Sequence, residues 1–448
     1  MTALDQPARH ADGPERRPKR VPFPVVDEVA RHCLQEEEPE TVHIEVHLPG
    51  TPDPDRLRSA FAEALRRHPR ILMREAQGPW YRRRYEWELT AEPDVEVVTF
   101  PPPERDALKK ARIRSLSDSP PLSASPPIRL EVIDSGEEEG AGSVLFLTIN
   151  HTALDGPACL RVLATAAELY GGQDNSPAAP PQRTPATPAP DGAAATADAP
   201  SGWAPPARVS RGTPEPSPGN GMLVAELPVP HRPKGAPFTV NDQLMVATAL
   251  MIAHWNREHG ARPRPFRITM PVDDRPRDMG MPIGNGTRLV EVPFSAQELT
   301  GKEWGPEEIG ALLRRTAERT RALKALDRPQ LGHGAALLTS PVLPVTVRAA
   351  LTRGLRRAAA PWTSTTLLSN IGRVPYALDF GDAGRAHAVW FSAPARLPRG
   401  LTVTTASTAG RLHLALRWSK TLLSHGDGAH LRDLFEHYLH ATEEGVTP

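Results

Sequence analysis

One short stretch of the chain could do chemistry: His151, then Asp155 four positions on, then Gly156. A neutral imidazole can take a proton from an amine, an alcohol or a thiol near pH 7. A carboxylate at that spacing can hold the ring or the turn, directly or through an arginine. A glycine beside it permits a backbone φ that other residues resist. Taken alone, His-x-x-x-Asp-Gly reads equally well as a capped turn with an incidental histidine, so the surroundings must decide.

Those surroundings favour a site. Residues 144–149 are β-branched, aromatic or leucine, as in a strand buried on both faces. The run stops at Asn150, His151, Asp155 and Gly156, and the mostly apolar residues 157–170 read as a helix closed by Gly171. His151 is therefore expected at the mouth of a buried strand, where the chain turns into a helix. Rigid elements often hold catalytic groups at such turns.

Upstream, residues 25–35 read as a helix with Val26, Val29 and Cys33 on one side. Residues 41–48 alternate, with Val42, Ile44, Val46 and Leu48 facing a core and His43, Glu45 and His47 facing solvent. Asp53-Pro54-Asp55 opens a helix that ends at Arg67-His68-Pro69. Residues 70–100 hold further strands, including an edge-like run at 80–87, and 128–133 is another strand. Residues 172–220 are rich in Pro, Ala, Ser, Thr and Gly and read as a linker with no core of its own. They divide an N-terminal lobe (23–171) from a C-terminal lobe (221–448). The second lobe contains a helix begun by Thr239-Val240-Asn241-Asp242, long helices at 306–326 and 342–358, short strands at 365–368, 388–391, 401–405 and 412–418, and a final helix at 428–440. Both lobes mix helices with mostly non-local sheet, which is an α/β (α+β) pattern.

The chain has 448 residues, enough for two domains or one large two-lobed body. Lys+Arg and Asp+Glu are 53 each, which argues against the basic face of a nucleic-acid binder. It leaves room for a local basic patch that meets a phosphorylated cofactor. Two cysteines, Cys33 and Cys159, exclude a disulfide framework or a cysteine-rich metal site and suit a reducing cytoplasm. Cys159 could be a nucleophile, although an inert buried cysteine is the preferred reading. His231, His254, His333 and His387 lack ligand spacing, so no metal is implied. Residues 1–22 are charged and proline-containing, expected to be a disordered head rather than a signal peptide. No apolar run reaches the ~20 residues of a membrane span, so the expectation is a cytoplasmic protein with no membrane partner.

Five segments recur in an order that resembles a known family. They are Arg67-His68-Pro69; Asn150-His151-Thr152-Ala153-Leu154-Asp155-Gly156; Thr239-Val240-Asn241-Asp242; Pro271-Val272-Asp273-Asp274-Arg275 with Gly284-Asn285; and Ser369-Asn370-Ile371-Gly372-Arg373-Val374. Together they resemble the chloramphenicol-acetyltransferase-like superfamily, which includes peptide-synthetase condensation domains, polyketide-associated acyltransferases, wax-ester synthases and plant alcohol acyltransferases. Three departures stand out. Asn150 replaces the first histidine of the motif, Asp382 replaces a tryptophan in Asp379-Phe380-Gly381-Asp382, and Leu72 stands where an arginine is common. These favour a stand-alone acyltransferase over a peptide-elongating domain.

The resemblance implies a pseudo-dimer of two α/β sandwiches with a tunnel between the lobes, and needs no second subunit. It implies that His151 deprotonates an amine or hydroxyl of a small-molecule acceptor as that group attacks an acyl thioester. The co-substrate would be acyl-coenzyme A or an acyl-phosphopantetheine on an acyl or peptidyl carrier protein, with no tightly bound cofactor. Natural-product biosynthesis is the expected setting. Asp155 is assigned a structural role paired with an arginine, Arg275 first and Arg74 second, with Asn150 in support. Oxyanion donors would be the Gly156 amide and Ser369 or Asn370. Two rivals remain: a member of the fold that binds a ligand or carrier, or runs another reaction, without acyl transfer; and a transferase using Cys159.

Overall fold

A computed structural model of the chain describes residues 19–35, 38–134, 142–178, 204–276, 280–301, 304–326, 330–331 and 334–444. The strands are β1 (Lys19–Pro22), β2 (Thr41–Leu48), β3 (Met73–Glu75), β4 (Glu86–Leu89), β5 (Val98–Thr99), β6 (Ile128–Asp134), β7 (Ser143–Asn150), β8 (Asn220–Pro228), β9 (Phe266–Asp273), β10 (Thr287–Phe294), β11 (Thr366–Arg373), β12 (Ala388–Ser392), β13 (Leu401–Thr408) and β14 (Arg411–Ser419). The helices are α1 (Val25–His32), α2 (Pro54–Arg67), α3 (Ala107–Ser117), α4 (Gly156–Gly171), α5 (Val240–Glu258), α6 (Pro306–Ala325), α7 (Ala335–Leu338), α8 (Val345–Ala359) and α9 (His425–Glu444).

The strands form a five-stranded sheet ordered β12-β2-β7-β6-β5, a six-stranded sheet ordered β10-β9-β11-β13-β14-β8, and a small sheet β1-β4-β3. Two large hydrophobic cores follow. In the first, Leu57, Phe61 and Leu65 of α2 and Leu160 and Leu163 of α4 pack on Val42, Ile44 and Ile149 of the five-stranded sheet. In the second, α5, α6 and α9 cover the six-stranded sheet. Strand β7 is buried along its whole length, as its unbroken apolar run requires, because α3 closes the face that α2 and α4 leave open.

That cover overturns the expected exposure of β2. His43 and Glu45 are fully buried, because α3 lays Arg112 over them. The Glu45 carboxylate takes two bonds from Arg112, at 2.9 and 2.7 Å, and meets His43 at 3.1 Å and His47 at 3.4 Å. Burial alone would push its pKa up, but the Arg112 bonds outweigh burial and hold the carboxyl well below 4.5.

Three further expectations are corrected. Residues 19–22, read as the end of a disordered head, form β1 against β4; residues 1–18 lie outside the described residues. The edge-like run at 80–87 is strand only from Glu86, with Trp80 and Tyr81 exposed before it. The linker reading of 172–220 fails at both ends. Asn175 holds the main chain of Asp379 from both sides, at 2.8 and 3.2 Å. Ala207 and Val209 are buried in the second core, and Ser210 bonds to Asn256 and Trp255. Residues 179–203 lie outside the described residues.

The lobe boundary at 221 is also crossed. Strand β12 leaves the C-terminal half to pair antiparallel with β2, and Leu378, Phe380 and Val389 join the first core. Between the cores, parallel β9 and β11 pair only at Thr366↔Ile268 and Leu367↔Thr269, although both strands run on. Past that point they part, and a cavity occupies the gap.

Glu45 gives a prediction about stability. A carboxyl depressed in the folded state contributes stability that is present above its unfolded pKa and lost as pH falls. The unfolding free energy of the native protein should drop as pH falls below about 4.5, and Glu45→Gln should flatten that drop in urea titrations across pH. Glu45→Ala, which takes the fully buried carboxylate away from the half-buried Arg112, should cost about 3 kcal/mol at neutral pH.

Candidate functional site

The cavity between the cores has a volume of about 660 Å³ and is lined by His151, Asp155, Gly156, Asn285, Ser369 and Asn370, among others. That is the size of a pocket for a small molecule. The histidine reaches it because β7 ends at Asn150 and the chain turns at residues 151–153 before α4 begins.

Asp155 fixes that turn. It is the N-cap of α4, and its Oδ1 accepts from the Ala158 amide at 3.0 Å. Its Oδ2 accepts from Arg275 Nη2 at 2.8 Å and from the Gly286 amide at 2.9 Å. Arg275 is itself spent on Asp273, at 2.8 and 3.0 Å, and on the carbonyls of Pro282 and Gly284. The carboxylate thus joins the first residues of α4 to the β9–β10 connection. Gly286 must be glycine there, since a Cβ would stand 2.3 Å from Arg275 Nε.

His151 is oriented by a separate contact. Its Nδ1–H donates to the Leu154 carbonyl at 2.9 Å. A carbonyl can only accept, so Nδ1 carries a proton, and in the neutral ring the lone pair is on Nε2. Nε2 has no protein partner among the described residues. Asn285 grips the same turn from the other body, donating to the carbonyls of His151 and Thr152 at 3.2 and 3.0 Å. It also donates to Asp27 at 3.0 Å.

Of the two polar residues named on β11, the structure separates their situations. Asn370 donates to Asn241 at 3.3 Å and accepts from Thr405 and the Gly372 amide, which ties it to α5 and β13. Ser369 lines the cavity with a hydroxyl that has no partner among the described residues. Gly156, the first residue of α4, lines it too, and an N–H at that position has no acceptor within its helix.

Other expected residues lie elsewhere. Arg74, the second candidate partner for Asp155, pairs instead with Glu88 at 2.6 Å and Asp94 at 2.9 Å, because β3 runs beside β4. Asn150 is buried and bonds to the Pro120 carbonyl and the Thr152 amide, so it shapes the turn without lining the cavity. His68 bonds to Thr165 of α4 at 2.8 Å; burial and the nearby Arg161 and Arg67 push it down to about 4. Cys159 is fully buried, and burial pushes its thiol well above the usual range. A buried thiol of this kind is not a thiolate nucleophile. Sequence reasoning missed Asp27, a buried carboxylate of α1 bonded to Trp87 and Asn285 and raised by burial to about 6. Asp27 lies off the side that carries Val26, Val29 and Cys33, so the helical pattern gave no signal for it.

No protein-family model matches the chain. Two uncharacterized proteins of Mycobacterium tuberculosis, from strains ATCC 25618 / H37Rv and CDC 1551 / Oshkosh, are each 28% identical over 384 residues, covering 80% of this chain and 84% of theirs. Among solved structures, the trichothecene 15-O-acetyltransferase TRI3 of Fusarium sporotrichioides aligns over 95% of this chain and 96% of its own, with a TM-score of 0.62 at 13% identity. The condensation domain of the Monacolin K polyketide synthase MokA aligns over 95% and 97%, with a TM-score of 0.58 at 14% identity. The starter condensation domain of rhizomide synthetase RzmA, in complex with C8-CoA and Leu-SNAC, aligns over 94% of both chains, with a TM-score of 0.60 at 14% identity. The chain has the condensation-domain fold. Within that fold the resemblance carried by His151, Asp155 and Arg275 coincides with one cavity between two cores. Among the described residues no cluster of His, Cys, Asp and Glu could hold a metal ion, and no helix is long and apolar enough to cross a membrane.

The Asp155–Arg275 pair is nearly enclosed and charge-assisted on both sides, so it should couple strongly. A double-mutant cycle of Asp155→Ala and Arg275→Ala, read by chemical denaturation, should give a coupling energy of about 1.5–3 kcal/mol. Additive effects would show that the pair does not hold the two bodies together.

Proposed function

We propose that the protein is an acyltransferase. It moves an acyl group from a thioester, on coenzyme A or a carrier-bound phosphopantetheine, to an amine or hydroxyl of a small acceptor, in natural-product biosynthesis. The observation that carries this reading is the state of His151: Nδ1–H is held by the Leu154 carbonyl, and Nε2 is free in a cavity between two cores. In the neutral ring this tautomer puts the lone pair on Nε2, where a general base needs it.

His151 Nε2 takes the acceptor's proton as the acceptor nitrogen or oxygen bonds to the thioester carbonyl carbon. The carbonyl oxygen becomes an oxyanion, and the Ser369 hydroxyl and the Gly156 amide donate to it. When the carbon–sulfur bond breaks, the thiolate leaves and recovers the proton from Nε2, so the histidine ends as it began. Asp155 touches no reacting atom; with Arg275 and Asn285 it keeps the turn in place. The fold-level likeness to TRI3, an acetyltransferase, and to the RzmA domain seen with C8-CoA supports a thioester donor.

Purified protein would be incubated with a panel of acyl-coenzyme A thioesters and small amines and alcohols, with free thiol and product mass as readouts. The native protein should acylate at least one acceptor. His151→Ala should lower turnover by about 10²–10⁴, and Ser369→Ala by about 10²–10³. Cys159→Ala should leave turnover unchanged. Full activity in His151→Ala would overturn the mechanism, and loss of activity in a folded Cys159→Ala protein would favour a thiol nucleophile.

A further inference from the structure

The cavity is lined by two arginines, Arg399 and Arg356, that make no ion-pair contact among the described residues. Arg399 lies in the crossing between β12 and β13 and lines the cavity wall. Its Nε donates to Ser364 Oγ at 3.1 Å and its Nη2 to Thr269 Oγ1 at 3.4 Å, while those two hydroxyls bond to each other at 2.7 Å. All of these partners are neutral, and Nη1 has no acceptor among the described residues. Burial works against the charge and brings the guanidinium down to about 10, with Glu291 opposing and Arg356 adding to the shift. It is still cationic at neutral pH.

Other enclosed arginines of the chain are treated differently. Arg275, Arg319, Arg348 and Arg396 each have a carboxylate in ion-pair contact. Arg417 is fully buried and lacks one, but Nε, Nη1 and Nη2 all donate to Asn220, Thr41 and Pro39, so it is a structural clamp. Of these six, Arg399 is the one that lines the cavity with no carboxylate in ion-pair contact among the described residues. Arg356 of α8 lines the same cavity, lies close enough to Arg399 to repel it, and makes no hydrogen bond or ion pair with the described residues. A guanidinium held in a low-dielectric wall without a counterion is costly unless an anion arrives.

The spacing says what could bring one. Thr363, Leu367, Ser369, Asn370 and Ile371 all line the cavity, so it runs along β11 from just before the strand to its bulge. Ser364, which holds Arg399, precedes Ser369 by five residues, at most about 18 Å of extended chain. A pantetheine arm, stretched at about 3.5 Å per three bonds, spans about 15 Å from sulfur to phosphorus.

We propose that Arg399 and Arg356 form an anion subsite that holds an oxyanion, phosphate or carboxylate, carried no more than about 18 Å from the reacting carbonyl. The naming of that reacting carbonyl rests on the acyl-transfer reading; the anion site itself does not. Two sources share the chemistry: the phosphate of the thioester arm, and an acid group at the far end of an acyl chain or acceptor.

Direct binding separates the sources and does not depend on turnover. Phosphopantetheine, pantetheine and glutarate would be titrated calorimetrically into the full chain, and into Arg399→Gln, Arg399→Lys and Arg356→Gln, with melting curves as a folding control. If the thioester arm supplies the anion, phosphopantetheine binds the native protein about tenfold or more tighter than pantetheine. Arg399→Gln and Arg356→Gln each lose that preference, and Arg399→Lys restores part of it. If the substrate supplies it, the two arms bind alike and glutarate binding depends on both arginines. Binding of all three probes that is unchanged in every folded variant overturns the subsite. Should Arg399→Gln fail to fold, Arg356→Gln is the deciding variant, since the half-buried Arg356 bonds to none of the described residues. A protein that shows this anion dependence but no acyl transfer would refute the function and leave the subsite standing.

Discussion

The ion pair between Asp155 and Arg275 is the constraint on which the site depends. One carboxylate caps α4 through Oδ1 and receives the guanidinium and the Gly286 amide through Oδ2. The strand β7 and the helix α4 belong to the first core, and Arg275 and Gly286 follow from strands of the second. The next residue back, Asn285, then grips the carbonyl of His151 itself. The histidine is thus placed by local turn chemistry from one body and by polar clasps from the other. A shift of either body would move the imidazole against whatever the cavity holds.

Burial of that pair costs desolvation, and the geometry repays it only because nearly every donor and acceptor is used. The same economy explains the rest of the cavity. Where β9 and β11 stop pairing, the sheet gives up ladder bonds to make space, and Asn370 recovers part of the loss by bonding to Asn241 and Thr405. Strand β12 lies in the first sheet while β11 and β13 lie in the six-stranded one, so the chain crosses from one sheet to the other and back.

What could be read in the residues was what is local. The buried run of β7, the polar stop at Asn150 and His151, and the capped start of α4 all follow from neighbours in sequence. Arg275 was reachable because its segment resembles a family pattern, whereas Arg74 was not separable from it without knowing that β3 lies beside Glu88. Non-local cover was invisible. His43 and Glu45 alternate like solvent-facing residues, and only α3, more than sixty positions on, shows that they are buried beside Arg112. Proline-rich composition hid the two small apolar residues, Ala207 and Val209, that anchor the start of the second core. The strand at β12 was legible as a strand, but its partner β2 is set by a crossing that no local pattern records.

The central claim is that His151 passes a proton during acyl transfer, and it is tested most directly in the organism. His151 would be replaced by Ala at the native locus, and metabolites compared by accurate mass with the parent and a deletion strain. The account predicts that the substitution and the deletion both lose the same product and accumulate a lighter precursor, with the mass difference giving the acyl group. A deletion that changes the profile while His151→Ala leaves it as in the parent would contradict it.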